Sequence, residues 1–247
     1  MLNTLKRYWP LWLAVALLLI VAYLPARLLQ FGLPSTVQLD GVTGTVWHGR
    51  AARASINNRG QVFMLGGLDW QLRPWSLLVA QPTAEVRSRW GAQQIDTLVA
   101  TNWRGDLLLS DLSAAVGIDW TRQMLPLYVE GLVRGTFARL EVRGGKLWVA
   151  DGQLVWERAA WAARAGSLPL GAYAIELSGD NGNIRGEVVT ISGGLQASGQ
   201  VSLNASNYMV NLRLSGPAMQ NDGLRQSMAL FAVPEDDGYV VDLSGSL

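Results

Sequence analysis

The side chains able to do chemistry are few, and their spacing argues against catalysis. His48 is the only histidine and cysteine is absent, so neither a two-His metal site nor a thiolate nucleophile can be assembled from this chain. A Ser-His-Asp arrangement would have to use His48 with Asp40 or with an acid distant in sequence. His48 follows Trp47 directly in a Gly-flanked segment, which suits an exposed or packing role better than a catalytic one. Asp236-Asp237, beside Gly238, reads as a solvated turn rather than a calcium ligand set. Gly144-Gly145 and Gly193-Gly194 precede strand-like runs and not helix N-termini, so they lack the geometry that cradles phosphate. No catalytic residue, cofactor or metal ligand is expected, and the chain reads as a protein that is not an enzyme.

What the sequence does concentrate is tryptophan. Of eleven, Trp47, Trp70, Trp75, Trp90, Trp103, Trp120, Trp148, Trp156 and Trp161 lie beyond position 27. Each buries a large area, so most are expected in a core. The functional alternative is a partner surface or the lining of an apolar groove, since Trp and Arg are enriched at interface hot spots. Among the 20 basic residues only Lys6 and Lys146 are lysine, and the arginines suit planar, bidentate contacts.

The element that must position everything else is an uncharged stretch near the start, Leu11 to Leu24, extended toward the N-terminus by Tyr8 and Trp9. From Tyr8 to Leu24 a helix would span about 26 Å, slightly short of the ~30 Å hydrocarbon core. Tyr8, Trp9, Trp12 and Tyr23 are the amphipathic rings expected at membrane interfaces, which can cover the shortfall. Leu11, Trp12, Leu17, Leu18, Leu19 and Ile20 are the expected anchoring residues. A cleaved signal peptide would look similar, but no small-x-small cleavage pattern follows, which favours an uncleaved anchor. Lys6, Arg7 and the amino terminus on one side, against Arg27 on the other, orient the N-terminus inward. The expected plan is a cytoplasmic tail (1–7), a transmembrane anchor (8–25), a linker (26–39) and a periplasmic β domain (40–247).

Net charge adds an exclusion. The first 27 residues hold Lys6, Arg7 and Arg27 and no acid, leaving 17 basic against 19 acidic residues in the rest. That balance gives no electrostatic reason to expect nucleic acid. The absence of cysteine is compatible with an oxidising compartment if the sheet buries enough.

Beyond the anchor the apolar signal has period two, the mark of half-buried strands. It is clearest at Ala84–Trp90, Tyr173–Leu177, Tyr208–Leu214 and Gly238–Gly245. Two stretches break it: Asp111–Leu125 and Ala218–Phe231 read as helical or partly helical connectors, the second with Leu224, Met228 and Phe231 at helical spacing. Landmarks also recur. Gly41–Trp47 resembles Gly131–Phe137, Trp70 and Trp75 resemble Trp156 and Trp161, and Gly105–Ser110 resembles Gly199–Asn204. These matches predict two similar β units, about 40–125 and 130–232, with a closing strand at 238–247. The fold class expected is mainly β: an N-terminal transmembrane helix, then a twisted antiparallel sheet with short helical connectors.

In order along the chain, Val42–Ala51 with Gly44, Thr45, Trp47 and Gly49, then Trp70-Gln-Leu-Arg-Pro74-Trp75, Gly152–Trp156, Pro169-Leu-Gly171-Ala-Tyr173 and Gly194–Gly199 resemble protein N of the bacterial type II secretion system. The resemblance implies a bitopic inner-membrane protein with a periplasmic part. It implies an accessory role in the exporter that moves folded proteins across the outer membrane, and it carries no catalytic residues. Partners would be other secretion components, either inner-membrane platform or secretin-linked proteins. A fainter likeness to AsmA-type periplasmic β proteins implies instead a sheet groove that binds or transfers lipid.

Overall fold

The computed structural model describes residues 2–58, 61–118, 129–163, 166–204 and 206–246, with backbone alone for 2–8, 10, 11, 58, 61 and 163. Packing divides the chain into two compact units, Met1–Trp90 and Gly91–Leu247. The repeat-like units expected from sequence are a different division, drawn from matched residues and not from packing.

The first unit begins with helix α1 (Leu2–Ala22), where Leu and Ala propagate the helix and Pro25 follows its end. A 3-10 turn, Ala26–Phe31, comes next. Strands β1 (Val37–Asp40), β2 (Thr43–Gly44), β3 (His48–Asn58), β4 (Gln61–Leu72) and β5 (Thr83–Trp90) follow, with a second 3-10 turn, Pro74–Val79, between β4 and β5. All pairings are antiparallel: β1 and β2 on β3, β3 on β4, β4 on β5. The core is small and gathers Ala26, Leu39, Val42, Ala51, Ala54 and Trp70. The three alanines leave room for the indole. Among the described residues, no helix is long and apolar enough to cross a membrane.

The second unit is a meander of long strands: β6 (Gln93–Thr101), β7 (Leu107–Gly117), β8 (Val129–Arg143), β9 (Lys146–Ala163), β10 (Gly166–Asp180), β11 (Asn183–Ser192), β12 (Gln196–Asn204) and β13 (Asn207–Ser215). Each pairs antiparallel with the next. Helix α2 (Asp222–Met228) then leads to β14 (Val233–Glu235) and β15 (Gly238–Ser246); β15 pairs with β13, and β14 pairs with β15. The four expected strands lie within β5, β10, β13 and β15. In β11, Ile184, Gly186 and Val188 are buried and their neighbours Arg185 and Glu187 exposed, as period two requires.

One of the two helical connectors is corrected. Asp111 to Gly117 belongs to β7, and the residues from 119 to 125 lie outside the described ones. Leu112, Ala114 and Val116 do alternate. The alternation is broken at Asp111, whose φ is 50° and where the register against β6 shifts between Asp96 and Leu98. A β-bulge of this kind displaces one residue and disguises a strand as helix-like spacing.

The other connector is helical: a 3-10 turn at Pro217–Gln220 and then α2. Asn221 caps α2, its Oδ1 accepting from the Leu224 N–H at 3.0 Å. Leu224 and Met228 face the sheet and pack among Leu170, Tyr173, Val188, Leu195, Leu214 and Val241. Gly223 brings the helix against Trp161, whose ring would lie 2.8 Å from any added Cβ. Among the described residues, Leu224 is the largest side chain with no exposure at all. Leu224→Ala is expected to cost about 2–5 kcal/mol, through lost burial and the cavity left behind. Urea unfolding of the full chain followed by circular dichroism reads this as a lowered midpoint; an unchanged midpoint contradicts the packing.

Candidate functional site

The landmarks of the first unit converge on the exit of α1. Trp47 Nε1 donates to the Val21 carbonyl at 2.8 Å, and Val46 N–H donates to the Leu24 carbonyl at 2.9 Å. The Val21 carbonyl, at the helix C-terminus, accepts from the Leu24 N–H at 3.3 Å as well, so the indole gives it a second partner from outside the helix. Pro25 bridges Thr45. A tight turn presents these residues: Thr45 N–H donates to the His48 carbonyl at 2.9 Å, and His48 N–H donates to Thr45 Oγ1 at 3.2 Å. Gly44 has φ of 89°, and a Cβ there would lie 2.5 Å from the His48 carbonyl oxygen. Only glycine fits comfortably at such a position.

Trp70 holds the same turn from beneath. Its Nε1 donates to the Val46 carbonyl at 3.1 Å, and its ring lies flush on Gly49, where a Cβ would come within 2.3 Å. Leu72 N–H then donates to the Trp47 carbonyl at 2.7 Å. The chain proceeds from there into the Pro74–Val79 turn, with Pro74 in its first turn. Ser76 ties that turn down, donating from Oγ to the Arg73 carbonyl and accepting from Thr83 N–H.

His48 is exposed and borders two open cavities, of about 420 and 350 Å³. The larger is lined by Arg50, Asp69, Glu85 and Arg87, charges already matched: Arg50 pairs with Asp69, and Glu85 with Arg87 and with Arg73 of the smaller cavity. The hydrogen bond to Asp69 pushes the Arg50 guanidinium pKa up, and the hydrogen bond from Arg73 holds the Glu85 carboxyl below its ordinary range. Both shifts favour the charged forms. Asp40 lies on β1 opposite Arg53 and lines neither cavity. Asp236 and Asp237 form the exposed turn between β14 and β15, and their neighbour Glu235 pairs with Arg213 at 2.9 Å. Among the described residues, no group of three His, Cys, Asp or Glu is placed to hold a metal.

In the second unit the landmarks do structural work. Trp156 Nε1 donates to the Glu130 carbonyl at 3.2 Å and lies against Gly131, where a Cβ would come within 2.5 Å of that nitrogen. Its ring packs on Tyr173, with centroids 5.7 Å apart. Tyr173 Oη donates to the Leu195 carbonyl at 2.8 Å. Pro169 sits at a register irregularity of β10, where its missing N–H is tolerated. Gly171 lets that strand approach β11 so closely that a Cβ would lie 2.0 Å from the Ser192 carbonyl oxygen. Gly194 accepts from Ala218 N–H at 2.9 Å and so seats the turn before α2, while Gly199 meets β13 as closely as Gly171 meets β11.

The expectation that tryptophans fill the core is corrected for three of them. Trp70 is buried at 9% exposure, but Trp75 and Trp103 are 79% and 81% exposed, and Trp90 is exposed as well. Trp120 lies outside the described residues. Trp75 stands on a Pro-initiated turn, and Trp103 on a turn organised by Asn102, whose Oδ1 accepts from Arg104 and Asp106 N–H groups. Turn chemistry in the sequence carries that signal and outweighs the apolar area. Of the expected anchoring residues, Leu11 lies in α1 and Trp12, Leu17, Leu18, Leu19 and Ile20 are exposed on it. The sequence reading missed Leu28, Phe31, Leu78 and Val79, large apolar residues that the two 3-10 turns hold out to solvent.

Comparison with known proteins bears on this arrangement. The family model described as type II secretion system (T2SS), protein N matches residues 35–241. A type II secretion system protein N of Vibrio cholerae serotype O1 (strain ATCC 39315 / El Tor Inaba N16961) is 28% identical, over 97% of this chain and 98% of that protein. One of Aeromonas hydrophila is 29% identical, over 91% of this chain and 94% of its own. No solved structure matches.

Burial pushes the Tyr173 hydroxyl up from its ordinary 10 to about 12. The folded chain therefore keeps this proton after the unfolded chain has lost it, so the contribution is complete below pH 10 and falls between pH 10 and about 12. Urea midpoints measured at stepped pH should drop across that window, and Tyr173→Phe should flatten the drop. An equal slope in both proteins contradicts the assignment.

Proposed function

The chain belongs to the type II secretion system protein N family, and we propose that it serves type II secretion as a non-enzymatic accessory component. In this reading α1 anchors the chain in the inner membrane, N-terminus in the cytoplasm, and the β-rich remainder stands in the periplasm and docks other secretion proteins. The observation that carries the reading is the exposure of Trp12, Leu17, Leu18, Leu19 and Ile20 around a helix whose end is hydrogen-bonded to the turn before β3. An exposed apolar surface of that kind marks a membrane or protein contact. The uncharged run is short for a spanning helix, and its flanking Trp and Tyr rings together with Lys6 and Arg7 extend its reach into the headgroups.

Docking has a physical means in the second unit. Strand β15 pairs with β13 along its whole length, but with β14 only at Gly238, Tyr239 and Val240. Among the described residues, Val241 to Ser246 thus have no strand partner on their other side. Such an edge accepts an added strand, with backbone hydrogen bonds supplying affinity and side chains supplying selectivity. Helix α2 covers the part of this unit's apolar face formed by Leu170, Tyr173, Val188 and Leu214, which leaves less of it for a lipid groove and favours docking over lipid transfer.

A strain lacking this chain, with no redundant copy, should fail to release folded exoproteins into the medium. A photo-crosslinking residue at position 243 should, in secreting cells, join the chain to another secretion component identified by mass spectrometry. Normal secretion in the deletion strain sinks the role, and the absence of any such adduct sinks the edge.

A further inference from the structure

The first unit presents apolar side chains at three places, each tied to the exit of α1. Helix α1 is the first. The Ala26–Phe31 turn, which leaves α1 through Pro25, exposes Leu28 and Phe31, the latter 88% exposed. The Pro74–Val79 turn exposes Trp75, Leu77, Leu78 and Val79. Its distance from the helix exit is set by a chain of hydrogen bonds: Val21 carbonyl to Trp47 Nε1, then Trp47 carbonyl to Leu72 N–H, two residues before Pro74. A soluble surface has no use for six large apolar residues on two short turns tied to one helix exit. Charge points the same way. The first 39 residues contain Lys6, Arg7 and Arg27 and no acid, and Arg27 lies exposed in the same turn as Leu28 and Phe31.

We propose that these two turns form a collar around the exit of α1 that inserts into the headgroup and upper acyl region of an anionic bilayer. The unit is thereby seated on the membrane surface and not merely tethered to it. Trp75 supplies the amphipathic ring suited to that depth, Phe31, Leu78 and Val79 supply apolar area, and Arg27 meets lipid phosphates. The Ser76 bonds to Arg73 and Thr83 hold the second turn stiff, so insertion needs no refolding. The proposal rests on the reading of α1 as an anchor.

The chain contains no cysteine, so a single introduced one is a unique point for a polarity-sensitive fluorophore. Full-length Leu78→Cys, Leu18→Cys and Arg89→Cys proteins are labelled and reconstituted in vesicles of phosphatidylethanolamine and phosphatidylglycerol. Position 89 is at the far end of β5, about 20 Å from the turn at strand spacing, and serves as the water reference. The expected result is a blue-shifted emission and loss of iodide quenching at 78, with quenching by shallow spin-labelled lipid exceeding that by deep. The probe at 18 should be quenched by deep label and the probe at 89 should read water. A water-like probe at 78 with a lipid-buried probe at 18 overturns the collar and leaves the anchor standing. Water-like readings at both positions overturn the anchor and the collar with it.

Discussion

The hydrogen bond from Trp47 to the Val21 carbonyl is the constraint on which the first unit depends. Without it the apolar helix would be held to the β-sheet only through Leu24 and Pro25, on the chain leaving the helix, which meet Val46 and Thr45. With it, and with the Val46 to Leu24 bond beside it, the last turn of α1 has one direction relative to β3. The bond dictates other residues. Trp47 can reach Val21 only if the 44–48 turn is tight, which requires glycine at Gly44. The turn stays in place only if Trp70 supports it, which requires glycine at Gly49. A row of glycines and tryptophans that looks like composition bias is thus one mechanical joint.

The second unit uses the same device for a different end. Trp156 lies over Gly131 and donates to the carbonyl of Glu130, as Trp70 lies over Gly49 and donates to Val46. Here the indole locks two long strands, and Tyr173 extends the lock to the segment that seats α2. In each case a large ring that keeps its N–H satisfied replaces the aliphatic core that a thin sheet has little volume to build.

Much of the β structure was legible in the sequence because burial on one face writes a period of two. Strands β5, β10, β13 and β15 follow from it directly. The period fails where the backbone changes rather than the side chains, as at Asp111, since nothing in one residue announces a bulge. The helix over Asp222–Met228 was legible from its Leu224 and Met228 spacing. The site was legible in part. Gly44, Thr45, Trp47, Gly49 and Trp70 stand out as residues, but their convergence on the α1 exit rests on hydrogen bonds spanning 24 to 26 positions. Leu28, Phe31, Leu78 and Val79 escaped because an apolar residue in sequence reads as core by default, and only the fold shows it turned outward.

The central claim is that α1 is a retained part of the working protein, joined to the sheet and seated in the inner membrane. Its most direct test is the intact mass of the protein extracted from the inner-membrane fraction of cells making it at native level. The account predicts a chain that keeps residues 1–27 and is absent from the soluble periplasmic fraction. A mature chain that begins near Arg27 and fractionates with the soluble periplasm would contradict it.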